Sequence, residues 1–206
     1  MKTLRVLLDL RHPLAYLALE PALAFVESLA LDADWLPLGV PPLNRPSIPE
    51  QGDDRGIRHR RFRAEAIARE IDTYAAAQGL MLREPYRRSN VEAGNLGWIW
   101  VRDQQSARLD TYLRALFRGY WSRQLDASRL ESIAALVDSV DAQGAAFLDW
   151  CIDEGPRAAA ALATELRDEG VFQVPAFVVE DEIFYGRQHL PMIRWILEGR
   201  SGPIPI

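Results

Sequence analysis

Residues 171–193 read VFQVPAFVVEDEIFYGRQHLPMI, and this stretch decides the fold. The apolar run AFVV is followed by the acidic residues EDE and then by the apolar residues IFY, a pattern that predicts a β-hairpin. A last helix is predicted over residues 189–199. The chain therefore ends in a strand–strand–helix unit, and Pro175 stands directly before the first of these strands.

The N-terminal segment predicts a strand–helix–strand unit. Residues 3–9 are rich in Leu and Val, as a buried strand would be. Residues 13–30 show the apolar pattern of a helix, and residues 33–38, ADWLPL, predict the next strand. Pro21 lies inside the helical run, where it removes one helical hydrogen bond.

The middle of the chain is predicted to be helical. It begins with residues 39–56, whose many prolines and glycines predict a long loop. Apolar patterns and breaks then predict helices over residues 57–80, 90–121, 128–140, 143–154 and 156–169. The order β-α-β, helical block, β-β-α indicates an α/β core that carries a helical insertion.

The composition of the chain disfavours some classes of protein. The 206 residues carry a net charge of −5, which disfavours a nucleic-acid binder. No run of about 18 apolar residues occurs, so we expect no transmembrane helix. The start, MKTLRVLLDL, is interpreted as a strand and not as a signal peptide, because no small-residue cleavage site follows it. We therefore expect a cytoplasmic protein.

Few residues offer nucleophilic or metal-binding chemistry. Cys151 is the single cysteine, so an internal disulfide and a CxxC dithiol are both excluded. Its surroundings predict a small buried side chain. The three histidines, His12, His59 and His189, show no metal-ligand spacing, so we expect no metal site.

Four segments carry a resemblance to a known family. DLRHPLAYLA at 9–18 is similar to the pattern D-F-x-S-P-x-S-Y-L-A, and the stretch 171–193 is similar to V-F-G-V-P-T-F-V-V-x-x-E-x-F-W-G-x-D-R-L-x-M-L. DWLPL and PYRRSNVEAGNLG, between them in the chain, also match in order. The chain thus resembles the DsbA family, and within it the branch of 2-hydroxychromene-2-carboxylate isomerases and kappa-class glutathione transferases.

The resemblance implies an α/β, thioredoxin-like fold with a large all-helical insertion. The thioredoxin-like domain would comprise residues 1–45 and 170–206, and the helical insertion domain would comprise residues 46–169. The family further implies a homodimer and a glutathione-linked isomerase or transferase that acts on a small aromatic or acidic compound. Pro175 occupies the position of the family's typically cis proline.

His12 stands where this branch carries a serine and a DsbA oxidoreductase carries its attacking cysteine. The second cysteine would fall at Ala15, so dithiol exchange has no nucleophile here. His12 could be a neutral base for a thiol, an imidazolium paired with a thiolate, or an acid–base group acting on a carbonyl substrate without glutathione. The positive end of a helix favours the neutral form and hence the base role. The alternative is a capping or packing residue in a non-catalytic binding protein.

The resemblance implies further glutathione contacts. The backbone of Val174, next to Pro175, would pair with the cysteinyl part of glutathione; the alternative is that Val174 is only a packing residue. Arg187 and Gln188 stand in the segment where relatives hold the γ-glutamyl amino group with an aspartate. Gln188 keeps a hydrogen-bonding group without the charge, and Arg187 would repel an ammonium or attract a carboxylate. Asn90 is either a ligand contact or a helix cap.

Other side chains of the middle segment are open to two interpretations each. Trp98 and Trp100 either line an aromatic substrate pocket or belong to the core. Asn44, in the proline-rich loop, is either a turn residue or a ligand contact. The helix predicted over residues 57–80 begins with a basic group that is either a solvated face or a surface that steers an acidic substrate, formed by Arg58, Arg60, Arg61 and Arg63.

Overall fold

The computed structural model describes residues 4–50 and 52–205. Thr3, the predicted first residue of the N-terminal strand, lies outside the described residues, as do Gln51 in the proline-rich loop and the terminal Ile206.

A four-stranded mixed sheet forms the centre of the α/β core. The strand β1 (Leu4–Leu8) pairs in parallel with β2 (Ala33–Pro37) and antiparallel with β3 (Ala176–Val179). β3 forms a hairpin with β4 (Glu182–Tyr185), which gives the order β2-β1-β3-β4. β1 is the apolar central strand, and its Leu and Val side chains are fully buried. All four strands confirm the predicted pattern: β1 Leu4–Leu8, β2 Ala33–Pro37, β3 Ala176–Val179 and β4 Glu182–Tyr185.

Two helices belong to this core. Helix α1 (Pro13–Ser28) connects the parallel strands β1 and β2, and helix α8 (Leu190–Leu197) follows the hairpin and packs against β3. The apolar side of α8 carries Ile193 and Ile196, both buried. This arrangement, with a helical segment between β2 and β3, confirms the thioredoxin-like α/β fold with a helical insertion.

Six α-helices lie between β2 and β3 in the described part of the chain. The first starts where the Asp54 carboxylate accepts a 2.7 Å hydrogen bond from the Ile57 amide, and ends at Gly79 in the left-handed conformation, φ 63°. The six are α2 Arg55–Gln78, α3 Glu92–Gln104, α4 Leu109–Ser122, α5 Leu130–Asp138, α6 Gly144–Trp150 and α7 Glu154–Asp168. No helix among the described residues has the length and apolar character needed to cross a membrane.

The prediction of one helix over residues 90–121 is wrong. The chain leaves the helical conformation at Gln105 (φ −146°, ψ 55°), and a 3₁₀ turn separates α3 from α4. The two helices then fold back on each other, so that a side chain at Gly97 would collide with Tyr112 and Ile133. Because this packing buries two apolar faces, it outweighs the local preference for a continuous helix.

The insertion and the α/β core share one apolar interior. The Trp98 indole nitrogen donates a 3.0 Å hydrogen bond to the Trp35 carbonyl of β2. The Tyr16 ring of α1 stacks on Phe117 and Trp121 of α4, with centroid distances of 5.8 and 5.9 Å. Trp98 is fully buried here, which settles its role as a core residue.

Trp100 and Cys151 also belong to the interior. The Trp100 indole nitrogen donates a 2.7 Å hydrogen bond to the Ala142 carbonyl, so this residue joins parts of the insertion within the core. Cys151 is buried, as predicted, and burial raises the pKa of its thiol to about 11. The thiolate required for nucleophilic chemistry is therefore strongly disfavoured.

Candidate functional site

The corner between β1 and α1 places His12 at the start of a helix. The His12 amide donates a 2.9 Å hydrogen bond to the Asp9 carbonyl, which closes a turn after the strand. The His12 backbone has extended geometry and occupies the N-cap position, and Pro13 fills the first helical position. Pro13 has no N–H, and the Ala15 and Tyr16 amides donate to the His12 carbonyl, so the Leu14 amide is the one left without a partner among the described residues. Together with the helix dipole it gives this end a positive potential that favours a negative group nearby.

Asp9 and Arg11 lock this corner to the segment after β2. The Asp9 carboxylate accepts bonds from the Arg11 side chain at 2.7 and 3.0 Å and from the Val40 amide at 2.9 Å. Arg11 Nη2 also donates to the Val40 carbonyl at 3.1 Å. The hydrogen bond with Asp9 is the main cause of a raised Arg11 pKa. Asp9 is 3% exposed, so the pair is a fixed frame for the corner.

The His12 imidazole is buried and neutral. The residue is 7% exposed, and Nδ1 lies buried without a hydrogen-bond partner among the described residues. Burial lowers the His12 pKa to about 4, while nearby Asp9 raises it and Arg11 lowers it. A buried polar atom without a partner is costly in a folded protein, so Nδ1 marks a position where a ligand atom would be stabilising.

The loop before β3 lies at the same end of the sheet. The Val174–Pro175 peptide bond is cis. Leu7 pairs with Ala176 in the antiparallel ladder, and continuation of this register places Pro175 and Val174 beside the end of β1. The fold thus brings this loop next to the corner that carries His12. Val174 is fully buried, and no hydrogen bond within the described part of the chain engages its amide.

Pro21 leaves a backbone carbonyl of α1 to which Arg187 donates a hydrogen bond. Because proline has no N–H, the carbonyl of Leu17, four residues earlier, lacks its helical donor. Two side chains supply donors instead: Gln78 Nε2 of α2 at 3.1 Å and Arg187 Nη1 at 3.3 Å. Arg187 therefore satisfies a backbone group of α1.

The remainder of the Arg187 guanidinium is engaged with α2. It stacks on the Tyr74 ring at 3.4 Å from the centroid, and its Nη2 lies 3.8 Å from Glu70. Arg187 thus ties the hairpin, α1 and the insertion together. These contacts give Arg187 a structural role, and its Nη2 is buried without a hydrogen-bond partner among the described residues.

Gln188 folds back on its own turn. Its Nε2 donates a 3.0 Å hydrogen bond to the Tyr185 carbonyl. Its amide covers Gly186, whose φ of 98° and lack of a side chain both suit this close approach. Gln188 therefore stabilises the exit of the hairpin.

Asn90 acts at the entrance to α3. Its Oδ1 accepts a 2.8 Å hydrogen bond from the Glu92 amide, which gives it the helix-end contact that was one of its two predicted roles. It also lines a pocket of about 410 Å³ with Arg87 and Tyr120.

Two residues of this pocket were not singled out from the sequence. The Tyr120 hydroxyl is buried without a hydrogen-bond partner among residues that the structure describes. Arg87 stacks over the Tyr120 ring at 3.7 Å and donates a hydrogen bond to the Tyr120 carbonyl. Tyr120 belongs to a run of aromatic residues at helical spacing, and nothing in that run distinguishes it.

Comparison with known proteins supports a family assignment. A family model described as DsbA-like thioredoxin domain matches residues 42–198. This range contains the insertion and the hairpin and begins after the His12 corner. Comparison with curated proteins finds no match.

Solved structures share the fold. A 2-hydroxychromene-2-carboxylate isomerase superposes with a TM-score of 0.71 at 16% identity, over 95% of this chain and 94% of that chain. A probable DsbA oxidoreductase from Streptomyces coelicolor gives 0.68 at 17% identity, over 100% and 94%. The cytosolic disulfide reductase DsbM from Pseudomonas aeruginosa, with GSH, gives 0.64 at 16% identity, over 96% and 98%. The family match covers most of the sequence and the fold agrees with it, so the chain belongs to the DsbA-like thioredoxin family.

Proposed function

We propose that this protein is a glutathione-linked isomerase or transferase that acts on a small aromatic or acidic compound, with His12 in the position of a thiol-holding residue. The observation that carries the proposal is the unpartnered Nδ1 of a buried, neutral imidazole at the start of α1, beside the loop that contains cis-Pro175. Two of its structural neighbours are an isomerase and a reductase with GSH, which is consistent with such a site.

The residues of the corner fit the thiol end of glutathione. The first turn of α1 offers the Leu14 amide and a positive potential for a sulfur that carries negative charge. His12 Nδ1 supplies a side-chain hydrogen-bonding atom in the same place. The unengaged Val174 amide offers a donor for a peptide group of the ligand. Glutathione, when bound, would supply the thiol nucleophile that the chain itself lacks at this corner.

The low pKa of His12 favours one of the roles open to it. Moving a proton from a thiol of ordinary pKa onto an imidazole of pKa about 4 would cost about 6 kcal/mol, so His12 is a weak base. A neutral imidazole instead donates a hydrogen bond from its protonated nitrogen. We propose that His12 stabilises a thiolate by this donation, together with the helix N-terminus.

The opposite end of glutathione would be held differently from the pattern implied by the resemblance. Arg187 and Gln188 are engaged by the chain itself, through the Leu17 and Tyr185 carbonyls, and Asn90 is engaged by the start of α3. The proposed contacts of glutathione therefore reduce to His12, Val174 and Pro175.

Calorimetric titration of the full chain with glutathione and with S-methylglutathione tests this proposal. Wild-type protein should bind glutathione more tightly than the methylated form, because only the free thiol can ionise. The His12→Ala variant should lose most of this preference, and ultraviolet thiolate absorbance of the bound ligand should fall with it. Equal binding of both ligands by both proteins, or no binding of glutathione at millimolar concentration, would contradict the proposal.

A further inference from the structure

A basic groove lies between the proline-rich loop and α2. It has a volume of about 610 Å³, which suits a small organic ligand. The groove begins two residues after Val40 and has an apolar floor that includes Leu43, Ala64 and Ile67. The charged residues that line it in the described structure are all arginines: Arg45, Arg60, Arg61 and Arg63.

The helical spacing explains why these side chains meet. Arg60, Arg63 and Ile67 stand at positions i, i+3 and i+7 and so lie on one face of α2. That face is turned toward the loop, which contributes Arg45 from the opposite wall. Cationic groups therefore surround an apolar floor from two sides.

Arg61 is compensated by the protein itself. It is 7% exposed and forms an ion pair with Asp53, and Glu65 lies 3.9 Å from its guanidinium. The hydrogen bond to Arg61 is the main cause of a lowered Asp53 pKa. Arg61 thus fastens the end of the proline-rich loop to α2 and builds the wall of the groove.

The other three arginines have no acidic partner within the described chain. No ion pair there engages Arg45, Arg60 or Arg63, and the nearby Asp54 carboxylate is used to cap α2. Three positive charges thus gather in one groove of a chain whose net charge is −5. Neighbouring like charges on a helix repel one another, so a bound anion would relieve this repulsion.

We propose that the basic groove binds a phosphate monoester with an aromatic or apolar body. Planar guanidinium groups bind oxyanions through paired hydrogen bonds, and three of them from two walls can each contact a different oxygen of a tetrahedral phosphate. A single planar carboxylate has only two oxygens and would leave one arginine without a partner. The apolar floor accepts the body of the ligand. This binding site goes beyond the proposed glutathione function and does not depend on it.

The test uses calorimetric titration of the full chain with 1-naphthyl phosphate. 1-Naphthol measures the contribution of the aromatic body alone, and inorganic phosphate measures that of the phosphate group alone. 1-Naphthoate measures the binding of the same body with a single carboxylate. We expect 1-naphthyl phosphate to bind more tightly than the other three probes, and its affinity to fall as salt rises.

Variants locate the site. The exposed pair Arg60→Gln with Arg63→Gln should weaken binding of 1-naphthyl phosphate by about tenfold or more, because hydrogen bonds to charged groups are lost. The pair Arg55→Gln with Arg58→Gln removes the same charge from the same helix outside the groove and should change the affinity by less than about twofold. The His12→Ala variant should bind 1-naphthyl phosphate like the wild type, which separates this site from the glutathione site.

Three results would overturn the proposal. The first is the absence of 1-naphthyl phosphate binding at low salt. The second is an equal loss of affinity in both pairs of arginine variants, which would indicate only a general electrostatic attraction. The third is binding of 1-naphthoate as tight as that of 1-naphthyl phosphate, which would replace the phosphate class by a carboxylate. Circular dichroism of each variant verifies that the fold is retained.

Discussion

His12 is held neutral by burial, and this couples the corner to the stability of the fold. Its pKa is lowered from 6.5 to about 4. Between these two values the unfolded chain binds a proton that the folded chain does not. The free energy of unfolding must therefore fall as the pH falls from about 6.5 toward 4, and His12 contributes no further change below that range.

The pH dependence of unfolding tests this description of His12. Between about pH 7 and about pH 5, the wild type should lose about 2 kcal/mol more of its free energy of unfolding than the His12→Gln variant. Urea denaturation at the two pH values measures this difference. His59→Gln, at an exposed histidine, is the control and should behave like the wild type. A pH dependence that is the same with and without His12 would show that its imidazole is not shielded from water.

The corner between β1 and α1 illustrates which features of a site can be predicted from the sequence. A strand followed at once by His12-Pro13 predicts a helix start, and the family pattern marks the same position. The engagement of Asp9 and Arg11 with Val40 was not predicted, because it depends on how the segment after β2 approaches β1. Contacts between residues distant in the chain leave no local signal.

At the scale of elements, Pro21 links three parts of the chain. It frees the Leu17 carbonyl, and Gln78 of α2 and Arg187 after β4 both donate to it. Pro21 was recognised in the sequence as removing one helical hydrogen bond, but the partners that replace this bond come from other elements. The resemblance predicts a ligand contact for Arg187, and the structure shows contacts of Arg187 with α1 and α2 that no local pattern predicts.

The Arg187→Met variant tests this structural role. It should lower the free energy of unfolding by about 1–3 kcal/mol, because a buried hydrogen bond and a cation–π contact are lost. In a Pro21→Ala background the cost should be smaller, since the residue 21 amide can then pair with Leu17. Chemical denaturation of the four proteins gives the coupling. The affinity for glutathione should not change in the Arg187→Met variant. A variant that binds glutathione more weakly but is as stable as the wild type would instead indicate that Arg187 contacts the ligand.

At the scale of the whole molecule, the insertion and the α/β core are joined by a common interior. Trp98 of α3 donates a hydrogen bond to the backbone of β2, and Tyr16 of α1 stacks on two aromatic residues of α4. The sequence predicted the order of the elements and the discontinuous core, since periodicity and family patterns report both. It did not predict the break between α3 and α4, because no glycine or proline marks Gln105 and the break arises from packing.

Cooperative unfolding is the expected consequence of the common interior. Thermal unfolding followed by far-ultraviolet circular dichroism and by tryptophan fluorescence should give superimposable transitions. Trp98→Phe should shift both transitions together and cost about 1–3 kcal/mol, because the Trp35 carbonyl is left buried without its donor. Trp195→Phe, at a half-buried indole, should have the smaller effect. Two separate transitions, one of them confined to the helices, would contradict this.

The burial of Cys151 has a practical consequence. A reagent such as iodoacetamide attacks thiolates, and the folded chain offers only one thiol, which is buried and has a pKa of about 11. Dithiol members of the family carry their reactivity at the corner that His12 occupies here. Iodoacetamide should therefore leave Cys151 unmodified in the folded protein, and any inhibition that it causes in an assay through thiols would report on the free thiols of the reaction mixture.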